Sequence, residues 1–297
     1  MASQNSGPFT FLQGRVVAIT GAASGIGRAL AHLAASQGAK LALADWQNQD
    51  FETLRSELRG LGLSEDDFSL EMLDVSDRSA VFSWADATAT RFGGVDILIN
   101  NAGVSLHVPI EEMDPNDLKW LMDVNFFGVV HGVQAFLPHL IRSGRGHIVN
   151  LSSVFGLLAF HGLGAYVASK FAVRGFTEAL EVELALAGHP VTVTCVHPGG
   201  IRTGIVRNGR SRGQGPGSRT HEQLAEDFDR LLARQSPEEC ARAIWRGIER
   251  KNTRLLVGSD AKVLDFLARF LPRKYRRLLL WLGRRSDQAE AARTGRA

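Results

Sequence analysis

One junction constrains this chain more than any other. Arg15-Val-Val-Ala-Ile-Thr20, a short apolar run rich in β-branched residues, leads directly into Gly21-Ala-Ala-Ser24-Gly25-Ile26-Gly27. A helical pattern follows from Arg28 to Gln37 and stops at Gly38. The run reads as a buried strand. The glycines let the backbone turn tightly and let a ligand approach it closely. Strand, glycine turn and helix, in that order, put the amides of a helix N-terminus where a phosphate group can sit. A glycine cluster alone is a weak signal, and the flanking strand and helix are the context it requires.

The same alternation continues. Lys40-Leu-Ala-Leu-Ala-Asp45 reads as a second strand ending in an acid, 24 residues past Gly21. There a carboxylate can bind an adenosine ribose 2′-hydroxyl, and a 2′-phosphate would meet its charge, which favours NAD over NADP. The other reading of Asp45 is a helix cap or surface acid. A helix over about 48–60, a strand over 68–73 and Asp74-Val75 come next. Ser76 is the expected N-cap of a helix to Phe92. Val95 to Asn100 is a buried strand, and Asn101-Ala102-Gly103 turns the chain. Asp114 is expected to cap a helix that runs past Asn125 to about Leu140, with Pro138 kinking or shortening its end. His147 to Ser153 is strand-like, a helix to about Leu186 carries Tyr166 and Lys170, and Val191 to Val196 is a strand followed by His197-Pro198-Gly199-Gly200. Ser236-Pro237 opens a helix to about Arg250, and Arg254 to Gly258 is a last strand. The pattern predicts an α/β fold: one doubly wound domain, with a parallel sheet of about seven strands covered by helices on both faces. Residues 1–13 are expected to be a flexible leader, 14–258 the dinucleotide-binding and catalytic domain, and 259–297 a C-terminal helical extension.

Charge and cysteine usage exclude some classes. Net charge is +3. From Arg269 onward nine Lys/Arg stand against two Asp/Glu, a net of +7, which leaves −4 for the rest. Basic character belongs to the tail, so no nucleic-acid partner is expected. The two cysteines, Cys195 and Cys240, sit in apolar segments and read as buried thiols. No secretory signal and no run of about 18 apolar residues stands out, so a cytoplasmic protein without a spanning helix is expected. His107, His161 and His197 form no coherent ligand set. No metal is expected, and these residues read as pocket-lining or surface groups.

Tyr166 and Lys170 stand one helical turn apart. A free phenol has a pKa of about 10, too high for a base at neutral pH, and a nearby ammonium lowers it. The pair can serve as a tuned general acid/base. YxxxK alone also fits an exposed Tyr beside a solvated Lys.

In this order and at these intervals the motifs resemble those of the short-chain dehydrogenase/reductases, over residues 13–258. Thr20-Gly21-Ala-Ala-Ser-Gly25-Ile-Gly27 resembles the TGxxxGxG of the compact branch, Asn100-Asn101-Ala102-Gly103 its NNAG, and Pro198-Gly199 to Thr203 its PGxxxT. Ser153 stands 13 residues before Tyr166, as in that family. The resemblance implies a Rossmann fold and four catalytic residues. Tyr166 would exchange the hydroxyl proton, and Lys170 would lower its pKa and bind the nicotinamide ribose. Ser153 would hold the substrate oxygen, and Asn125 would fix a water linking Lys170 to solvent. It also implies cofactor contacts at Gly21, Ser24, Gly25, Ile26, Gly27, Asp45, Asp74, Val75, Asn101, Ala102, Gly103, Pro198, Gly199, Ile201 and Thr203. The family commonly pairs through helices here around 114–140 and 164–186, so a homodimer or homotetramer is expected.

The implied reaction is NAD-dependent interconversion of a secondary or lipophilic primary alcohol and its carbonyl. The rivals are an NADPH-preferring carbonyl reductase and a non-catalytic dinucleotide sensor on the same fold. Phe155, Leu157, Leu158, Phe160 and Leu163 suggest a greasy pocket, with Phe160 touching a small lipophilic alcohol or ketone. Residues 204–220, rich in Gly and Arg, read as a mobile loop that closes over substrate, or as an insertion without a role. In the tail, Val263, Leu264, Phe266, Leu267, Phe270 and Leu271 form an apolar helical stripe, and Arg273 to Arg285 is basic and amphipathic. Residues 262–285 can lie on an anionic membrane surface, or pack on the body or on another subunit.

Overall fold

A computed structural model describes residues 9–212, 220–277 and 280. In chain order its elements are β1 (Val16–Thr20), α1 (Gly25–Ala35), β2 (Lys40–Asp45), α2 (Phe51–Gly60), β3 (Phe68–Met72), α3 (Arg78–Phe92), β4 (Ile97–Asn100) and β5 (Leu106–His107). Then follow α4 (Pro115–Met122), α5 (Gly128–Ser143), β6 (Gly146–Leu151), α6 (Gly164–Leu186), β7 (Val191–Pro198), β8 (Arg210–Ser211), α7 (His221–Asp227), α8 (Pro237–Glu249), β9 (Arg254–Val257) and α9 (Ser259–Phe270). A π-helical turn, Asp123–Phe127, joins α4 to α5.

Seven strands form one sheet in the order β3-β2-β1-β4-β6-β7-β9. Every neighbouring pair is parallel. This is the doubly wound α/β architecture that the alternation predicts. Strand order reverses between β1 and β4, and the crevice at such a switch point is where open α/β sheets take ligands. One core lies under α1, α2 and α8, with Leu30, Leu54, Leu58, Ile244 and Trp245 buried on Val17, Ile19, Leu41 and Leu43. The other lies under α3, α5 and α6, with Trp84 and Phe136 ring to ring at 4.9 Å.

Several boundaries differ from the sequence expectation. Phe9 and Leu12 are buried, and Phe11 meets Trp245 edge-on at 6.4 Å, so residues 9–13 are packed rather than loose. The N-cap of α3 is Asp77, which accepts from the Ala80 amide; Ser76 instead donates its amide and hydroxyl to Asp74. Pro138 does not end α5, which runs on to Ser143 with Phe136, His139 and Leu140 buried. The stretch Pro115–Ser143 is long and apolar enough to cross a membrane, yet half of its apolar window is buried inside the protein, as in a core helix.

Candidate active site

The glycine turn closes on the strand ends around it. Gly21 has φ +64°, and a Cβ there would stand 2.9 Å from the Ala102 Cα. At Gly27 a Cβ would stand 2.1 Å from the Gly21 carbonyl oxygen, so no side chain fits. Thr203 packs over Gly25. Ser24 is the extended N-cap of α1 and makes no side-chain bond to its first turn. The amides of Gly25, Ile26 and Gly27 therefore face outward without a side-chain cap, a donor set suited to a phosphate. Asp45 is buried at the end of β2, where Oδ2 accepts from the Ala23 amide at 2.9 Å and Oδ1 from the Gln47 amide at 3.3 Å. Burial raises its pKa, against the pull of those bonds. Asp74 is exposed in the turn after β3, and Val75 is buried against Gly128. A side-chain-free cradle, uncapped amides and an acid at the second strand end together fit a dinucleotide.

The turn after β4 is stapled to β1. Thr20 Oγ1 accepts from the Asn101 and Ala102 amides at 3.0 and 3.1 Å, and Asn101 Nδ2 donates to the Thr20 and Gly21 carbonyls. Asn125, in the π turn, is fully buried. Its Oδ1 accepts from the Val104 amide, and its Nδ2 donates to the Val104 carbonyl and to Ser169 Oγ. These bonds brace the 101–104 turn on the π turn. Gly103 has no Cβ to stand between Asn125 Oδ1 and Lys170 Nζ; one built there would lie 3.2 and 3.5 Å from them.

Ser153, Tyr166 and Lys170 meet where β6 ends and α6 begins. Ser153 is extended, and its hydroxyl accepts from the Phe155 amide at 3.1 Å, which leaves its own proton free to donate. It is the hydrogen-bond partner that pulls the Tyr166 phenol pKa down. Burial pulls the other way and wins, pushing that phenol up to about 12. Lys170 is buried too, which lowers its pKa to about 8. Its Nζ donates to the Leu151 carbonyl at 3.0 Å and lies 5.6 Å from the Tyr166 ring centroid. Burial of the phenolate thus outweighs the Ser153 bond in this structure. Ser152 donates to the Lys170 carbonyl at 2.8 Å and fastens the two elements together.

Beyond β7, Gly199 and Gly200 sit against α9. The Gly200 amide donates to Asp260 Oδ2 at 2.8 Å, and a Cβ at Gly200 would strike the Leu232 carbonyl. The first turn of the C-terminal extension thus supports the Pro198-to-Thr203 segment. Ile201 is buried and bridges to Gln235. Of the expected closing loop, the described part, 204–212, is fastened down rather than free. Its β8 strand pairs with β5, and Arg210 lies over the Trp120 ring. Arg210 and Arg212 both pair with Asp117, at 3.1 and 2.8 Å. Residues 213–219 lie outside the described part.

Phe155 stands between Phe160 and Tyr166, with centroids 5.4 and 6.3 Å away, so Phe160 is one ring removed from the phenol. Leu157 and Leu158 are buried. Leu158 packs with Val154 and Ala261, near Leu264 and Tyr275 of the extension. His197, read as pocket or surface, is fully buried, and His161 is exposed and stacked on Phe160. Sequence reasoning left Thr20, Ser169 and Asp260 out of the site. Thr20 could have been found from its place in TGxxxGxG, whereas nothing local marks Asp260. A groove of about 790 Å³ between α1, residues 202–207 and α8 shares Gly25 and Thr203 with the cradle, but Ser153, Tyr166 and Lys170 do not line it.

Comparison with known proteins agrees with this geometry. The family model for short chain dehydrogenases matches residues 15–214. The Mycobacterium tuberculosis protein SadH, an oxidoreductase by name, is 47% identical over 267 residues, covering 90% of this chain and 94% of its own. The crystal structure of a short chain dehydrogenase/reductase from Burkholderia phymatum in complex with NAD superposes with a TM-score of 0.77 at 34% identity, over 87% of this chain and 94% of that one. An alcohol dehydrogenase from Thermococcus sibiricus, complexed with 5-hydroxy-NADP, gives 0.67 at 27% identity, over 82% and 94%.

Proposed function

The chain belongs to the short-chain dehydrogenase/reductase family and is an oxidoreductase on a dinucleotide-binding Rossmann fold; from that premise we propose that it uses NAD(H) to interconvert a secondary or lipophilic primary alcohol and its carbonyl. The observation that carries the reading is the buried phenol of Tyr166 with the Ser153 hydroxyl as its polar partner and the Lys170 ammonium behind it.

A bound nicotinamide would take up or return the hydride. The rest falls to this chain. The phenol, with its high pKa, holds its proton at neutral pH and is ready to give it to a carbonyl oxygen being reduced. The Ser153 O–H, left free to donate, steadies negative charge on that oxygen. Lys170, below its pKa of about 8, carries the proton that reloads the phenol. The Leu151 carbonyl holds the ammonium in place. Of the two dinucleotides, the Asp45 carboxylate favours NAD, since a ribose 2′-phosphate would meet a buried negative charge. Gly21, Ser24, Gly25, Ile26 and Gly27 would take the pyrophosphate, Asp74 and Val75 the adenine, and Asn101 to Gly103 with Pro198, Gly199, Ile201 and Thr203 the nicotinamide half. Phe155 and Phe160 give the substrate an aromatic wall, in keeping with a small lipophilic alcohol or ketone.

The catalytic domain in this reading is 14–258, with 259–297 an addition. Exposed Phe127, Phe171, Val182 and Leu186 on the α5 and α6 side offer apolar surface for a homodimer or homotetramer. On α9, exposed Val263, Phe266 and Phe270 with Arg269, Arg273 and Lys274 nearby would suit peripheral contact with an anionic membrane by a cytoplasmic protein. Truncation after Gly258 would also remove Asp260, so Phe266→Glu with Phe270→Glu is the cleaner vesicle test.

The testing experiment is a rate assay that offers NAD and NADP with aliphatic, aromatic, steroid and retinoid alcohols, beside Tyr166→Phe. NAD-dependent turnover that falls at least about a hundredfold in the variant, with NADH binding kept, supports the reading. Turnover with NADP alone favours the carbonyl-reductase rival. Binding of NADH without turnover, indifferent to Tyr166→Phe, favours the sensor.

A further inference from the structure

His197 is a buried titratable group, bonded to the Ser153 backbone, that the mechanism above leaves unused. It is the penultimate residue of β7 and wholly enclosed. The β6–β7 ladder has its last bond from the Ser152 amide to the Val196 carbonyl at 2.9 Å. The next residue of β7 due to donate is Pro198, which has no N–H. The backbone pairing therefore stops one residue short of Ser153. The His197 side chain takes over there, its Nδ1 lying 3.0 Å from the Ser153 carbonyl oxygen. A carbonyl only accepts, so Nδ1 carries the proton and Nε2 of the neutral ring is an acceptor. That Nε2 is buried and has no hydrogen-bond partner. An orphaned buried acceptor is costly, so an apolar ring here would favour stability. The donor at Nδ1 is what such a ring would lack.

We propose that His197 is a positioning residue, fixing through the Ser153 carbonyl the backbone that aims the Ser153 hydroxyl at Tyr166. Ser153 is the point of leverage because its carbonyl also accepts from the Gly156 amide at 2.9 Å, and its hydroxyl from the Phe155 amide. Both of those donors lie in the turn that follows Ser153 and move with it. Among the described residues, the His197 bond is the one that ties this carbonyl to the sheet. Burial holds the ring pKa down to about 4, so the donor is neutral and constant at working pH. The charged groups acting on it are Arg254 on β9 and Arg174 and Glu178 on α6. Around the phenol stand the neutral Ser153 hydroxyl and the charged Lys170 ammonium.

This role rests on the acid/base reading of Tyr166, and the test separates the two. The chain has two tyrosines, Tyr166 and Tyr275. Labelling with 13Cζ-tyrosine gives two signals, which Tyr275→Phe assigns, and the Tyr166 signal is read by NMR at pH 7 in protein saturated with NAD. His197→Phe keeps the ring and removes the donor, whereas His197→Asn places Nδ2 near the Nδ1 position. The Phe variant should keep its melting temperature and NADH affinity yet move the Tyr166 signal, which senses the Ser153 bond to the phenol, and lower kcat about tenfold at unchanged KM, with Asn restoring both. A folded Phe variant with the wild-type signal and kcat overturns the proposal, as does an equal change in both variants. Turnover of Tyr166→Phe speaks to Tyr166 as acid/base, and the difference between the His197 variants speaks to His197.

Discussion

The ammonium of Lys170 lies 5.6 Å from the centroid of the Tyr166 ring, while its hydrogen bond goes to the Leu151 carbonyl. In the proposed mechanism Lys170 is a proton store for the phenol and not its direct hydrogen-bond partner. Its pKa of about 8 sets the expected pH behaviour. Carbonyl reduction consumes a proton, so it should be flat below a midpoint near pH 8 and fall above it as the ammonium is lost. Alcohol oxidation should rise over the same range. Initial rates in both directions from pH 6 to 10 check this, and reduction that stays constant to pH 10 would exclude the relay. Lys170→Met should lose the limb along with most of the rate.

Asp45 does two jobs that substitution can separate. One oxygen holds the Ala23 amide of the glycine turn, and the charge as a whole opposes a phosphate. Asp45→Asn keeps an oxygen for Ala23 and loses the charge; Asp45→Ala loses both. Each should change the NADH-to-NADPH affinity ratio at least about tenfold, or about 1.4 kcal/mol, toward NADPH. Only the Ala variant should also melt lower. Fluorescence titration with both reduced dinucleotides measures the ratio, and an unchanged ratio in the Asn variant would remove Asp45 from cofactor choice.

Asp117 is buried on α4, and its ion pairs of 3.1 and 2.8 Å reach to Arg210 and Arg212 of the 204–212 segment. Asp117→Asn should loosen that segment, speed tryptic cleavage after Arg207, Arg210 or Arg212, and raise KM several-fold with little change in kcat. Arg210→Ala with Arg212→Ala should destabilise more than Asp117→Asn, by roughly 3–5 kcal/mol against wild type, because it leaves a buried carboxylate uncompensated. Urea unfolding ranks the variants, and the reverse order would show that the clasp carries no such charge penalty.

Acid should unfold this protein through its buried imidazoles. His147 bonds Thr194 Oγ1, and burial lowers both His147 and His197 from 6.5 to about 4. A depressed folded pKa means that the unfolded chain binds more protons between pH 6.5 and 4. The stabilisation is therefore complete above 6.5 and is lost as pH falls toward 4. Each ring accounts for roughly 3 kcal/mol over that window. Unfolding free energies at pH 7, 5.5 and 4.5 should show the fall, and His197→Asn should lose less by about one ring's share. Parallel curves for the two proteins would contradict the assignment.

What the sequence disclosed was whatever repeats with a period or carries a motif. β2 was legible to the residue, since a run of alternating Leu and Ala between Lys40 and Asp45 has clear ends. The glycine turn and the Tyr166 helix were legible for the same reason. Caps were ambiguous where two candidates adjoin, as with Ser76 and Asp77. Phe9 and Leu12 looked like part of a polar leader because two isolated apolar residues have no period, and one of the helices they pack near, α8, lies more than 200 residues on. Burial was the property least visible. It raises the Tyr166 phenol, ties the Asn125 side chain to the 101–104 turn and takes His197 out of the pocket. Each depends on contacts between segments far apart in the chain.

The π turn at Asp123–Phe127 makes chain length, and not only residue identity, a coded property of this site. Such a turn carries one residue more than the α-helical repeat. Deleting one residue there would let α4 and α5 merge into a single regular helix and rotate the two halves by about 100° relative to each other. Every side chain would keep its identity, yet Asn125 could no longer face Val104 while α5 kept its seat on the sheet. Insertions and deletions in this short stretch should therefore be far more damaging than most substitutions, although it lies in the middle of a helix and touches neither the glycine turn nor the Tyr166 phenol.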